Sequence, residues 1–227
     1  MKALILAAGV GSRLGSSVPK PLTPLADGVS IMEQQVTNLT RYVATEDILV
    51  VVGHKKELVM EAFPSLTYVY NNRFDTTNTS KSLLLGLLRL RGHDVLCLNG
   101  DVVFDHEVLP RLTGSASSSL AVKYGTVGDE EVKFRTDAEG WIQSVSKTVV
   151  GGLGEAVGIN LVMARDMLLL VDQLAACGDQ EYFERGVEGA VQRGARFRAV
   201  DVSDLRCTEV DFAEDLERVN RERSHIE

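Results

Sequence analysis

Arg13 and Lys20 belong to a stretch whose residue types suit a polyphosphate: Leu6-Ala7-Ala8-Gly9-Val10-Gly11-Ser12-Arg13-Leu14-Gly15, continued by Pro19-Lys20-Pro21-Leu22. Glycines let the backbone approach a ligand and turn N–H groups into a concavity that phosphate oxygens can fill. Two cations beside such a loop suit a triphosphate that must lose one bond and keep the others. Two better-known glycine loops do not fit. The dinucleotide fingerprint G-x-G-x-x-G would need glycine where Leu14 stands. The P-loop would need Gly-Lys followed by Ser or Thr, and Gly11 is followed by Ser12-Arg13.

Two further stretches carry groups that could act on a nucleotide. Val95 to Asp101 is an apolar run ending in Asn99-Gly100-Asp101. An aspartate at the carboxyl end of a strand, facing a phosphate loop, is placed to hold Mg²⁺. Asn71 to Ser80 offers an amide or hydroxyl at nearly every position before the leucine-rich helix expected over Lys81–Leu90. One helix cap needs one such residue. The surplus suits a nucleobase edge, and Thr77, Asn78 and Ser80 are the residues expected to read it.

These residues need a frame to hold them. Ala3–Ala8, Asp47–Gly53 and Leu66–Tyr70 read as buried strands, with helices over Ser30–Tyr42 and Glu57–Phe63 between them. Ser30 followed by Glu33 predicts a capping box. Strand and helix in alternation predict an α/β fold with a doubly wound, mostly parallel sheet, whose ligands gather at the carboxyl ends of the strands. From Ser119 the pattern becomes β-rich, with strands over Leu120–Tyr124, Val132–Thr136, Trp141–Lys147 and Glu155–Leu161. The turn Asp137-Ala138-Glu139-Gly140 joins the second and third of these strands. Helices over Arg165–Ala176 and Glu181–Arg193 and a strand over Phe197–Asp201 follow. The expectation is one domain, 1–227, with a nucleotide-binding half (1–118) and an acceptor-binding half (119–227) that forms a small β-rich lobe over the sheet edge.

Composition narrows the field. The chain has 227 residues, 44% hydrophobic and 25% charged, with a net charge of −8. An acidic chain does not make a non-specific nucleic-acid surface, so a bound nucleotide must rely on a local cationic pocket. No apolar run approaches the roughly 18 residues of a membrane span. Met1-Lys2 leads straight into a strand, which leaves no room for a signal peptide. Cys97, Cys177 and Cys207 are odd in number and widely spaced, and read as reduced thiols of a cytoplasmic protein.

The pattern L-A-A-G-x-G-S-R-L-G with P-K-P-L downstream resembles the signature of nucleotidyltransferases that join a nucleoside triphosphate to a phosphorylated metabolite and release pyrophosphate. Further segments extend the resemblance. Asp75-Thr76-Thr77-Asn78, followed by Ser82-Leu83, is similar to a segment of phosphocholine cytidylyltransferases. Asn99-Gly100-Asp101 is similar to the motif whose aspartate holds the metal. Ser146-Lys147 with Gly154-Glu155-Ala156-Val157-Gly158-Ile159-Asn160 resembles the acceptor half. Glu209-Val210-Asp211-Phe212-Ala213-Glu214-Asp215-Leu216 resembles E-I-D-T-x-E-D-L, with Phe212 in place of a small hydroxyl residue.

The resemblance implies a Rossmann-like nucleotidyltransferase fold and a set of roles. Leu6, Ala8, Gly9 and Gly11 would cradle the nucleotide. Arg13 would clamp the β- and γ-phosphates, and Lys20 would sit on the α-phosphate. Asp101 and Asp211 would hold Mg²⁺, and Lys147 and Glu155 would bind the acceptor, Lys147 at its phosphate and Glu155 at its cationic or hydroxyl end. Isoprenoid-pathway cytidylyltransferases carry P-K-Q where this chain has Pro19-Lys20-Pro21. Molybdopterin guanylyltransferases carry A-G-G where it has Ala7-Ala8-Gly9. Both branches are disfavoured. The expected partners are CTP, or another nucleoside triphosphate, and a small phosphate or phosphonate acceptor such as phosphocholine. A sugar 1-phosphate with UTP, dTTP or GTP, a non-catalytic nucleotide sensor on the same fold, and a homodimeric assembly all stay open. Aromatics available for a choline-like cage are Tyr124, Phe134, Trp141, Tyr182, Phe183 and Phe212.

Overall fold

The computed structural model describes residues 1–11, 14, 18–128 and 130–223. The first apolar run forms β1 (Lys2–Ala7), which lies between β2 (Ile48–Val52) and a strand met later in the chain, with β3 (Thr67–Tyr70) outside β2. Side chains of β1 alternate between two cores: Ala3, Ile5 and Ala7 enter one, Leu4 the other. A strand covered on both faces cannot afford a polar residue, which is why Ala3 to Ala8 reads as continuous apolar sequence. The helices between these strands are α1 (Ile31–Leu39), α2 (Lys56–Ala62) and α3 (Thr79–Arg89). The capping box forms as expected: Glu33 N–H donates to Ser30 Oγ at 3.2 Å, and Ser30 N–H to the Glu33 carboxylate at 3.4 Å. Helix α1 stops short of Tyr42 because the chain turns after Leu39 and drops Val43 into the core.

The second half continues the sheet through β4 (Val95–Asn99), β5 (Val102–Phe104), α4 (Val108–Thr113), β6 (Ser118–Tyr124), β7 (Lys133–Thr136), β8 (Ile142–Ser146) and β9 (Gly154–Val162). It closes with α5 (Ala164–Ala176), α6 (Phe183–Gln192), β10 (Phe197–Asp201), β11 (Cys207–Glu209) and α7 (Ala213–Arg223). The strand order is β10-β6-β9-β4-β1-β2-β3, parallel throughout except at β9, which runs antiparallel between β4 and β6. Helices α1, α2 and α4 supply the core on one face of the sheet, and α3, α5 and α6 on the other, so the sheet is doubly wound.

The β-rich lobe is smaller than the sequence pattern implies. Strands β6 and β9 belong to the main sheet, because Val157 to Val162 are buried on both faces. Only the β7–β8 hairpin leaves the strand path, held to the outer end of β9 at Lys133↔Glu155. Strands β5 and β11 form a separate two-stranded ribbon that brings residues 101 and 211 to the same end. The three cysteines are unpaired and buried. Among the described residues, no helix is long and apolar enough to cross a membrane.

Candidate active site

A cleft of about 800 Å³ opens where β1 and β4 end, β9 begins, and β5 and β11 bring their loops. Leu6, Gly9, Gly11, Lys20, Asp101, Lys147, Glu155 and Asp211, all singled out from the sequence, line it together. Ala8 is buried behind the loop, where its carbonyl accepts a hydrogen bond from His54 N–H at 3.1 Å. Arg13 lies outside the described residues. Gly11 has φ +64°, and a Cβ there would lie 2.8 Å from Lys20 Cβ. Glycine is therefore what lets the loop bend tightly enough to admit the lysine.

Lys20 opens a short 3₁₀ turn, Lys20–Leu22, between two prolines, with Pro21 buried. Its ammonium donates to Asp101 Oδ2 at 2.6 Å and to Asp211 Oδ1. Burial alone would lower the Lys20 pKa, but the two carboxylates outweigh it and hold the pKa above its ordinary value. The β5–β11 ribbon fixes the pair of aspartates, with Val210 N–H donating to the Asp101 carbonyl at 2.9 Å. Asp215 then fixes Asp211: its Oδ2 accepts from Asp211 N–H at 3.1 Å and Phe212 N–H at 2.9 Å, capping the entry to α7.

Does this pair fit a divalent cation? Among the described residues Asp101 Oδ1 is buried without a hydrogen-bond partner, so Asp101 has an oxygen left over after serving Lys20. Among the described residues no third acidic, histidine or cysteine ligand joins the two aspartates. That donor set matches Mg²⁺, which prefers one or two carboxylates and takes its other ligands from substrate phosphates and water.

The end of the cleft around Lys147 and Glu155 contains more than the sequence revealed. Lys147 Nζ lies 5.1 Å from the centre of the Tyr182 ring and pairs with Glu130 at 3.3 Å. Glu155 on β9 stands opposite Lys123 on β6 and Lys133 on β7; burial raises its pKa, Glu131 and Asp215 adding to the rise while Lys123 and Arg218 oppose it. Glu209 accepts from Asn99 Nδ2 at 3.0 Å. Burial, and the charge of Asp101 beyond it, push the Glu209 carboxyl well above the usual range. Gly158, at φ +64°, leaves the room that this Asn99–Glu209 pair fills. Glu184, in the first turn of α6, is 9% exposed, and burial raises its pKa to about 7. Nothing local marks Glu184, since Phe183-Glu184-Arg185-Gly186-Val187 reads as an ordinary amphipathic helix start. Of the aromatics, Tyr124, Tyr182, Phe183 and Phe212 line the cleft, Phe134 is core, and Trp141 stacks under Arg196 and Arg198.

The raised pKa of Glu184 predicts a pH-dependent stability. Its carboxyl binds a proton more tightly folded than unfolded, so ionisation destabilises the fold as pH rises from the unfolded value, 4.5, through about 7. Glu184→Gln removes that penalty. By denaturant titration the variant should be up to about 3 kcal/mol more stable than wild type at pH 8, with the gap closing near pH 5. A pH-independent difference would show that Glu184 is not buried as described.

The residues expected to read the base do not meet in the cleft. Asn78 caps α3, accepting from Thr79 N–H at 2.8 Å, and donates through Nδ2 to the Gln180 carbonyl at 3.3 Å. Thr77 Oγ1 donates to the Arg73 carbonyl at 2.7 Å, and Ser80 is fully buried. Much of this polar run thus ties the start of α3 to the α5–α6 connection, and Thr79 is its member that lines the cleft.

A doubly wound sheet with a glycine loop, a lysine and two aspartates at its carboxyl edge defines a class of nucleotide-handling proteins. Residues 3–175 match the family described as the MobA-like NTP transferase domain, and the chain belongs to that family of nucleotidyltransferases. Over 93% of its length it is 34% identical to a CMP-5'-(3-aminopropyl)phosphonate synthase of Streptomyces rubellomurinus, of which it spans 37%. Solved structures share the fold. CTP:phosphocholine cytidylyltransferase of Streptococcus pneumoniae has a TM-score of 0.79 at 18% identity, with 98% of each chain covered. The inositol-1-phosphate CTP transferase of T. maritima has 0.80 at 19%, with 98% of this chain and 94% of that one covered.

Proposed function

We propose that the protein transfers CMP from CTP to a small acceptor bearing a phosphonate or phosphate, an aminoalkylphosphonate above all, and releases pyrophosphate. The observation that carries this reading is the Lys20–Asp101–Asp211 cluster in a cleft whose other wall holds Lys147, Glu155 and Glu184. Similarity to a CMP-aminopropylphosphonate synthase along nearly the whole chain supports the choice of nucleotide and acceptor. In the reaction an acceptor oxygen attacks the α-phosphorus of CTP in line. The new P–O bond forms as the α–β anhydride bond breaks, and pyrophosphate departs with the electron pair.

The acceptor is already an anion, so no side chain needs to act as nucleophile; positioning and charge neutralisation do the work. Gly9 and Gly11, with Leu6 and Ala8 behind them, shape the cradle for the triphosphate. Lys20 neutralises charge building on the α-phosphate, and Arg13 clamps the departing pyrophosphate, as its bidentate fork suits. Asp101 and Asp211 hold Mg²⁺, which supplies Lewis-acid neutralisation of the phosphates. The cytosine lies against the start of α3, where Thr79 faces the cleft and Thr77, Asn78 and Ser80 hold that start in place from behind. Three unpaired thiols suit a cytoplasmic setting.

Base choice tests this reading. A site that pairs the cytosine edge leaves buried polar groups unpaired when uracil enters, so CTP should exceed UTP by at least ~10²-fold in kcat/KM. The measurement is pyrophosphate release with CTP, UTP, dTTP and GTP in turn. Preference for dTTP or GTP would instead place the protein among the sugar-nucleotide enzymes.

A further inference from the structure

We infer that Glu184 is the specificity-determining residue that receives the ammonium group of the acceptor, a part the sequence pattern gave to Glu155. The inference rests on the proposed CMP transfer and goes further, assigning the acceptor's cationic end to one side chain. Glu184 lines the cleft, yet its Oε2 is buried and has no hydrogen-bond partner among the described residues. A desolvated carboxylate oxygen without a donor is costly, and it is where an incoming cation gains most. Among the described residues no side chain donates to that oxygen. Lys147, the cation whose charge reaches Glu184, gives its hydrogen bond to Glu130 instead.

The surroundings suit an alkylammonium. Tyr182 precedes Glu184 and lines the same cleft, and the Lys147 ammonium already lies over the Tyr182 ring. Such a face attracts an alkylammonium carried by a ligand as well as one carried by the chain. Glu209 places a second buried acidic group within electrostatic range of Glu184. Glu155 is differently placed: it sits on β9 in register with Lys123 and Lys133, and the charges of Lys123 and Arg218 oppose the rise that burial, Glu131 and Asp215 give its pKa. Lys20, Lys147 and Glu184 line the same cleft, so an acceptor whose phosphonate oxygen meets the α-phosphorus beside Lys20 would turn its ammonium toward the start of α6.

The test compares 3-aminopropylphosphonate with propylphosphonate, which lacks the amine, as acceptors for CTP. Wild type should favour the amine by at least ~10²-fold in kcat/KM, because an unpaired buried carboxylate rejects the analogue that cannot pair it. Glu184→Gln should bring the ratio of the two acceptors near one, through a rise in KM for the amine and without a matching rise in KM for CTP. Glu184→Asp, which keeps the charge, should retain part of the preference and guards against a folding artefact in the glutamine variant. If Glu184→Gln slows both acceptors equally, or if Glu155→Gln removes the preference instead, the assignment is overturned. Wild type that releases pyrophosphate with both acceptors alike would also overturn it, leaving CMP transfer intact. Wild type that releases none with any acceptor would overturn the proposed function, and this inference with it.

Discussion

Lys20→Ala should lower kcat by about 10²–10³, the loss seen when one preorganised donor to a developing negative charge is removed. The expectation follows from where the ammonium is held. A lysine on a flexible stem loses much by being ordered. Here Gly11, the flanking prolines and two carboxylates have already fixed its Nζ at the cleft before substrate arrives. The loss should therefore fall on kcat more than on the KM for CTP, since charge on the α-phosphate grows toward the transition state. The substitution also leaves Asp101 and Asp211 facing one another without their shared cation. The variant's melting temperature should accordingly rise more on adding Mg²⁺ than that of wild type. Turnover near the wild-type rate would remove Lys20 from the mechanism.

The second large effect concerns the aspartates. Asp101→Asn and Asp211→Asn should each cut activity severely, and the double variant should be hardly worse than either single one. Groups that hold one ion act as a unit, so their losses do not add. EDTA should abolish wild-type turnover and Mg²⁺ restore it. Steady-state rates of the four proteins at saturating Mg²⁺ make the check, and full additivity of the two losses would assign the aspartates to separate tasks.

The parts of this site that could be read from sequence are those where backbone and chemistry make the same demand. A strand buried on both faces must be apolar, and a loop that bends at φ +64° beside Lys20 favours glycine, so β1 and its loop stand out. Ser30 and Glu33 announce α1 because a capping box is purely local. Asp101 and Asp211 are marked by motifs, yet what joins them is the β5–β11 ribbon, whose strands are three residues each and too short for any periodicity. The place of β9 inside the main sheet depends on pairing with β4 and β6, and register between distant strands leaves no local trace. Asn78 was legible as polar and near a helix start. That its amide serves the carbonyl of Gln180, across the α5–α6 connection, was not. Glu184 is the clearest case: α6 packs against α5, β8 and α3, all outside its own segment, so the burial of Glu184 does not show in the residues beside it.

The most direct test of the whole account is to identify the product. Wild-type protein incubated with CTP, Mg²⁺ and 3-aminopropylphosphonate, followed by ³¹P NMR, should show a phosphonate resonance and a nucleotide phosphate resonance coupled to each other through one bridging oxygen. Pyrophosphate should appear in equal amount, and neither signal should arise without the acceptor. If CTP binds but no nucleotidyl product forms with any phosphonate, phosphate or sugar-phosphate acceptor, the protein is a nucleotide-binding protein and not a transferase, and the account is contradicted.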